Sequence, residues 1–122
     1  LIAREMVPDV VGFVGIEPCV DLAAIWEGPL RPAVAEAYGA TGVEFPAAAA
    51  ANNPMAYSAW SYPMPMRLYA SPEDTLVPKA QHAAALAALL GIGVVECRGN
   101  HGDPSHFQAE DVLSFVRSYL GP

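Results

Sequence analysis

Met66-Arg67-Leu68-Tyr69-Ala70-Ser71-Pro72-Glu73-Asp74-Thr75-Leu76-Val77-Pro78 is the stretch on which the fold turns. It is almost wholly apolar from Met66 to Ala70 and then breaks at Ser71-Pro72 into a polar turn. A short apolar run closed in this way suits a strand covered on both faces, as in a parallel sheet. The next segment, Pro78 to Leu90, opens with proline, continues in alanine and leucine, and is followed by Gly91. Those signals predict a helix. Ile92-Gly93-Val94-Val95-Glu96-Cys97 is a second apolar run, closed by Arg98-Gly99-Asn100. Strand, helix and strand of these lengths form one right-handed crossover.

The pattern extends in both directions. Val10-Val11-Gly12-Phe13-Val14-Gly15-Ile16, closed by Glu17-Pro18, is a third apolar run, and Ile2 to Met6 reads as the tail of a helix begun upstream. Downstream, Ser105-His106-Phe107-Gln108 spells a Ser-x-x-Gln capping box for a last helix, Ala109–Leu120. Glu110 and Asp111 stand in its first turn, where negative charge is favoured, and Val112, Leu113, Val116, Tyr119 and Leu120 form its apolar stripe. Residues 20–65 are different, crowded with prolines and aromatic residues. They predict a short helix at Arg31–Tyr38, stopped by Gly39, inside a loop-rich excursion over one end of the sheet. No repeat of fixed period and no second domain boundary is visible.

Composition narrows the function. The chain has 122 residues, 53% of them hydrophobic and 16% charged, which allows one domain at most and argues against disorder. Six Lys+Arg against thirteen Asp+Glu leave a formal charge of -7. Polyanion binding needs clustered basic residues, so neither nucleic acid nor an anionic membrane surface is an expected partner. No apolar run approaches the ~20 residues of a membrane span. Cys19 and Cys97 show no metal-ligand spacing and read as small buried hydrophobes. The chain opens Leu1-Ile2-Ala3-Arg4-Glu5-Met6, with neither an initiator Met nor a secretory signal pattern, and is expected to be a piece of something longer. Nothing in it specifies a compartment.

Parallel strands place their carboxyl ends on one edge, where open α/β sheets carry their sites. Two polar clusters follow strand ends there: Ser71-Pro72-Glu73-Asp74, and Gly99-Asn100-His101-Gly102-Asp103-Pro104-Ser105-His106. Adjacent strands lie ~4.8 Å apart, so an acid on one loop and a histidine on the next become neighbours. Such a pair can orient an imidazole and stabilise its charged form during proton transfer.

These residues carry a resemblance. Val14-Gly15-Ile16-Glu17-Pro18-Cys19-Val20-Asp21-Leu22 resembles the sixth core strand and following turn of the α/β-hydrolase superfamily. Met66 to Pro78 resembles its seventh strand and acid loop, Gly-x-x-Asp-x-x-Val-Pro, with Ser71 where glycine is usual. Gly99-Asn100-His101-Gly102 is similar to the Gly-Gly-His-Gly after the eighth strand, and Ala109–Leu120 to the terminal helix. The match spans nearly all of this chain but only the carboxyl-terminal half or so of the family's fold, in its esterase and prolyl-oligopeptidase-like flavour. It implies a partial α/β-hydrolase fold: three parallel core strands, the last three of the sheet, with flanking helices.

The resemblance also implies a function: the carboxyl-terminal part of a serine hydrolase cleaving an ester, less readily an amide. Asp74 is then the triad acid and His101 the base. None of Ser58, Ser61, Ser71, Ser105, Ser114 and Ser118 has the flanking glycines of a nucleophile elbow. The nucleophile is therefore expected upstream of Leu1, the chain alone is expected to be inactive, and the amino-terminal half of the same protein is the expected partner. No cofactor or metal is implied.

Each residue has a plainer alternative. Asp74 suits a turn cap. Glu73 stands beside it and could exchange roles, but the interval to Val77-Pro78 selects Asp74. His106 is the alternative base, although its place at the mouth of the last helix suits capping or packing. Asp103 with His101 and His106 offers a weak metal-ligand spacing. His82, amid alanines, reads as a solvent-facing helical residue. Trp26, Tyr57 and Trp60 are candidates to line a substrate pocket for a small-molecule ester or peptide, or simply to pack. The competing function is a non-catalytic hydrolase-like module serving a larger assembly.

Overall fold

The computed structural model describes residues 10–39, 44–56 and 64–120. Three parallel strands lie in the order β1 (Phe13–Ile16), β2 (Met66–Ala70), β3 (Val94–Glu96). This is the partial α/β arrangement read from the apolar runs, with β2 in the middle. Phe13 pairs with Met66 and Ile16 with Tyr69, while Leu68 pairs with Val94 and Ala70 with Glu96. The ladders, four residues with β1 and three with β3, are shorter than the outer apolar runs.

Leu68, Tyr69 and Ala70 are buried, as a central strand requires. Leu68 joins Val20, Leu86 and Ala87 in the main core, with Phe13, Met55, Leu90, Ile92 and Val94 packed around them. Gly15 permits this approach: a Cβ there would sit 2.9 Å from the Phe13 ring and 3.1 Å from Leu68.

The excursion is more helical than expected. After β1 come α1 (Leu22–Glu27), α2 (Arg31–Tyr38) and α3 (Glu44–Asn52), then a 3-10 turn at Pro54–Ala56. The alanine tract forms α3 because alanine has the best helix propensity, and Pro46 falls in the first turn, where its missing amide breaks no helix bond. Asp21 caps α1 by accepting from the amides of Ala23 and Ala24, at 3.0 and 3.3 Å. Trp26 stacks on Phe45 with centroids 4.8 Å apart, and these two with Ala49 form a second small core. The Arg31 guanidinium lies 4.7 Å over the same indole.

In the crossover, α4 (Ala83–Leu90) starts later than the proline suggested, since Pro78 to His82 form turns. Gly91 closes it in the left-handed region at φ 67°. After β3, a 3-10 turn at Pro104–His106 leads to α5 (Ala109–Leu120). The expected Ser-x-x-Gln box does not form. Asp103 caps the 3-10 turn through Ser105, Ser105 Oγ donates to the Arg98 carbonyl, and the Gln108 amide turns to Cys97 Sγ. Asp111 does more than complement a dipole: it takes Arg67 of β2 in a fork at 2.7 and 3.0 Å and the Tyr69 hydroxyl at 2.6 Å. These bonds hold its carboxyl below the usual range, the Tyr69 hydroxyl contributing most and Arg67 next.

Cys97 is buried as expected, but Cys19 is exposed, and both are free thiols. Among the described residues no helix is long and apolar enough to cross a membrane. The helix tail read at Ile2 to Met6 lies outside the described residues.

Candidate functional site

All three strands end on the same edge, and each contributes a loop. The β2 loop turns at once: Ser71 is buried, its Oγ accepts from the Glu73 amide at 3.0 Å, and its carbonyl accepts from the Asp74 amide at 3.4 Å. This places the Asp74 side chain, 1% exposed, under the loop. Its Oδ1 accepts from the amides of Leu76 and Val77, both at 2.9 Å. Its Oδ2 lies 2.8 Å from Nδ1 of His101. Burial alone would raise the carboxyl's pKa; the Val77 amide, the His101 ring and the Leu76 amide outweigh it and hold Asp74 below its ordinary value. Ionised, Oδ2 can only accept, so Nδ1 carries a proton, and in the neutral ring the lone pair is on Nε2.

The β3 loop holds His101 between two left-handed glycines, Gly99 at φ 93° and Gly102 at φ 79°. Glycine is required at 99 for a second reason: a Cβ would sit 2.5 Å from Asp103 Oδ2. Glu73 anchors this loop by accepting from the Gly99 amide at 3.0 Å. It tethers the histidine loop, while the neighbouring Asp74 touches the ring. The His101 side chain remains 34% exposed.

His106 is buried and does not contact Asp74. Its Nε2 is 2.8 Å from the Arg98 carbonyl, which can only accept, so Nε2 carries a proton. Its Nδ1 faces Oε1 of Glu17.

Glu17 was legible in the sequence only as the residue closing β1. Among the described residues it alone, glycines apart, has a positive φ, 48°, a conformation costing about 1–2 kcal/mol. Its side chain is 7% exposed, Oε2 accepts from the Gly102 amide at 2.8 Å, and the same oxygen lies 3.4 Å from His101 Nδ1. A carboxylate ending an apolar strand at the shared edge was the available signal.

Asp74, His101 and Glu17 each offer one ligand atom, all within 4.8 Å of one another, so a divalent cation could enter by taking Nδ1 from Asp74. The spacing read through Asp103 is not the one assembled, because Asp103 is committed to its cap.

An apolar cavity of about 260 Å³ opens beside Asp74, lined by Pro72, Pro78, Lys79, Ala80 and Ala84 as well. Trp26 packs in the second core, and Tyr57 and Trp60 lie outside the described residues. His82 does not face solvent: it is 1% exposed, ahead of α4, and its Nδ1 accepts from the amides of Val20 and Asp21 at 3.3 and 3.2 Å. Comparison with protein-family models, with curated proteins and with solved structures finds no match to this chain.

Proposed function

We propose that this chain supplies the acid and base of a serine hydrolase that cleaves an ester, less readily an amide, with the nucleophilic serine upstream of Leu1. One observation carries the reading: the 2.8 Å contact from Asp74 Oδ2 to His101 Nδ1, which puts the proton on Nδ1 and leaves Nε2 as a base. In the reaction, Nε2 takes the serine hydroxyl proton as Oγ attacks the carbonyl carbon. The resulting imidazolium is stabilised by Asp74, and its proton passes to the leaving group when the tetrahedral intermediate collapses. Water then repeats the sequence on the acyl-enzyme. The resemblance of the three strand-end loops to the hydrolase pattern adds weight, as does a buried acid beside a half-exposed base.

The partner in this reading is the amino-terminal half of the same protein. The apolar segment before β1 has no Lys or Pro to block pairing until Pro8, and Val11 is 58% exposed.

The test uses the full-length protein and a serine-directed phosphonate. Labelling is expected upstream of Leu1 and on none of the serines of this chain, and residues 1–122 alone are expected to show no esterase activity. His101→Ala should lower turnover by ~10³-fold or more with folding intact. Near-normal turnover in that variant, or a full-length protein that takes no label, would leave the non-catalytic module as the better reading.

A further inference from the structure

Two carboxylates, not one, reach the Nδ1 edge of His101. Asp74 Oδ2 is 2.8 Å away and Glu17 Oε2 is 3.4 Å away. The second is not a chance approach by a mobile side chain. Glu17 is nearly enclosed, and its Oε2 is held by a backbone amide. Oε2 accepts from the Gly102 amide at 2.8 Å, next in the chain to His101. Oε1 lies against Nδ1 of buried His106, whose Nε2 is committed to the Arg98 carbonyl. The backbone contributes too: the Glu17 amide donates to the Tyr69 carbonyl at 2.8 Å, extending the β1–β2 ladder past the strand end at a left-handed residue. Strain retained at an enclosed charged residue on a sheet's carboxyl edge is the kind that functional sites keep.

We propose that Glu17 is a positioning residue for His101. Resting on the hydrolase reading above, the inference is that the Glu17 carboxylate, 3.4 Å from Nδ1, holds the imidazole by its charge beside the Asp74 hydrogen bond, so that Nε2 stays aimed at the nucleophile. The Gly102 amide holds the carboxylate in that place, against the buried ring of His106. With Asp74 alone the ring can pivot about one bond; the second carboxylate favours the orientation that keeps Nδ1 near both charges.

Variants of the full-length protein, assayed on an activated ester, separate this role from simple support of the loop. Glu17→Gln is expected to lower kcat about tenfold at unchanged KM, the order an outer partner of a functional histidine carries. Asp74→Asn leaves Glu17 as the remaining carboxylate and is expected to lose ~10²-fold, short of the ~10⁴-fold of a triad stripped of its acid, which the double variant should reach. Glu17→Gln then costs about ten times more without Asp74 than with it. An equal cost in both backgrounds would mean that Glu17 only props the fold, and would overturn the proposal. A second readout needs no substrate: the low-field proton resonance of His101 Nδ1 should shift in Glu17→Gln and vanish in the double variant. An unmoved resonance also overturns it. Should His101→Ala and Asp74→Asn leave turnover intact, the hydrolase reading fails, and the resonance alone decides the role of Glu17. If Glu17→Gln does not fold, Glu17→Asp keeps the charge but draws the carboxylate back, and should reproduce both effects.

Discussion

The buried His82 makes the stability of this fold depend on pH in a stated direction. Its Nδ1 accepts two backbone amides, Val20 at 3.3 Å and Asp21 at 3.2 Å, which join the end of the β1 loop to the start of α4. An acceptor of two N–H groups holds no proton, so the ring is the neutral Nε2–H form. Burial pushes its pKa below the ordinary 6.5, and the charges of Asp21 and Asp74 only partly oppose this. Protonation would place a charge in the core and turn the acceptor into a donor facing two donors. The unfolded chain protonates near pH 6.5 and the native chain only at lower pH. The unfolded state therefore binds more protons in that window, and stability is full above 6.5 and lost as pH falls through the native value. The slope there approaches ~1.4 kcal/mol per pH unit, so up to about 1 kcal/mol is lost between pH 6.5 and 5.5.

His82→Asn isolates the effect. Its Oδ1 can stand where Nδ1 stands and accept from the same amides, yet it does not titrate. Losing part of a buried ring should cost about 2–3 kcal/mol at pH 8. Urea unfolding of the full-length protein from pH 8 to 4.5 then gives two curves that converge as pH falls, because only the wild type loses the His82 contribution. Asp74, also lowered, contributes stability above its ordinary 3.8 and loses it below, outside this window. Parallel curves would show that His82 is not held neutral, and the assignment of its tautomer would be wrong.

Two further outcomes follow from the loops and the last helix. Asp111→Ala leaves Arg67 and the Tyr69 hydroxyl without their shared acceptor, so amide exchange in α5 should quicken while β2 stays protected; unchanged exchange would reject Asp111 as the pin. Gly99→Ala forces a left-handed alanine with its Cβ 2.5 Å from Asp103 Oδ2, and should cost at least ~1 kcal/mol and displace His101, lowering turnover; a variant with wild-type stability and turnover would refute the constraint.

Strands, crossover and last helix were readable because their signals are local. Apolar runs at Val10–Ile16, Met66–Ala70 and Ile92–Cys97 each contain the strand observed, and Gly39 and Gly91 stop helices where a left-handed residue is needed. The Asp74–His101 approach was readable for a related reason: once adjacent parallel strands are granted, their end loops must meet. The misreadings share a different cause. The prolines and aromatic residues of 20–65 read as a loop-rich excursion, yet propensity and one cap suffice for α1 and α3. His82 reads as a helix surface residue from its alanine neighbours, but the two amides it accepts come from some sixty residues earlier in the chain.

Glu17 shows where single-residue reading stops. Nothing about a glutamate before a proline distinguishes a strand-closing charge on the surface from an enclosed carboxylate. The distinction arises from Gly102, His101 and His106, more than eighty residues away, which surround it only after β2 has brought the β1 and β3 loops to one edge. Enclosing a carboxylate without partners would cost several kcal/mol, so the fold either satisfies it or expels it. Here the Gly102 amide satisfies one oxygen and the other lies against the buried His106 ring, at a left-handed backbone that adds cost of its own. A solvated glutamate would avoid all of these terms. That the chain keeps one enclosed against the ring of His101 is the physical ground for assigning it a part in what that ring does.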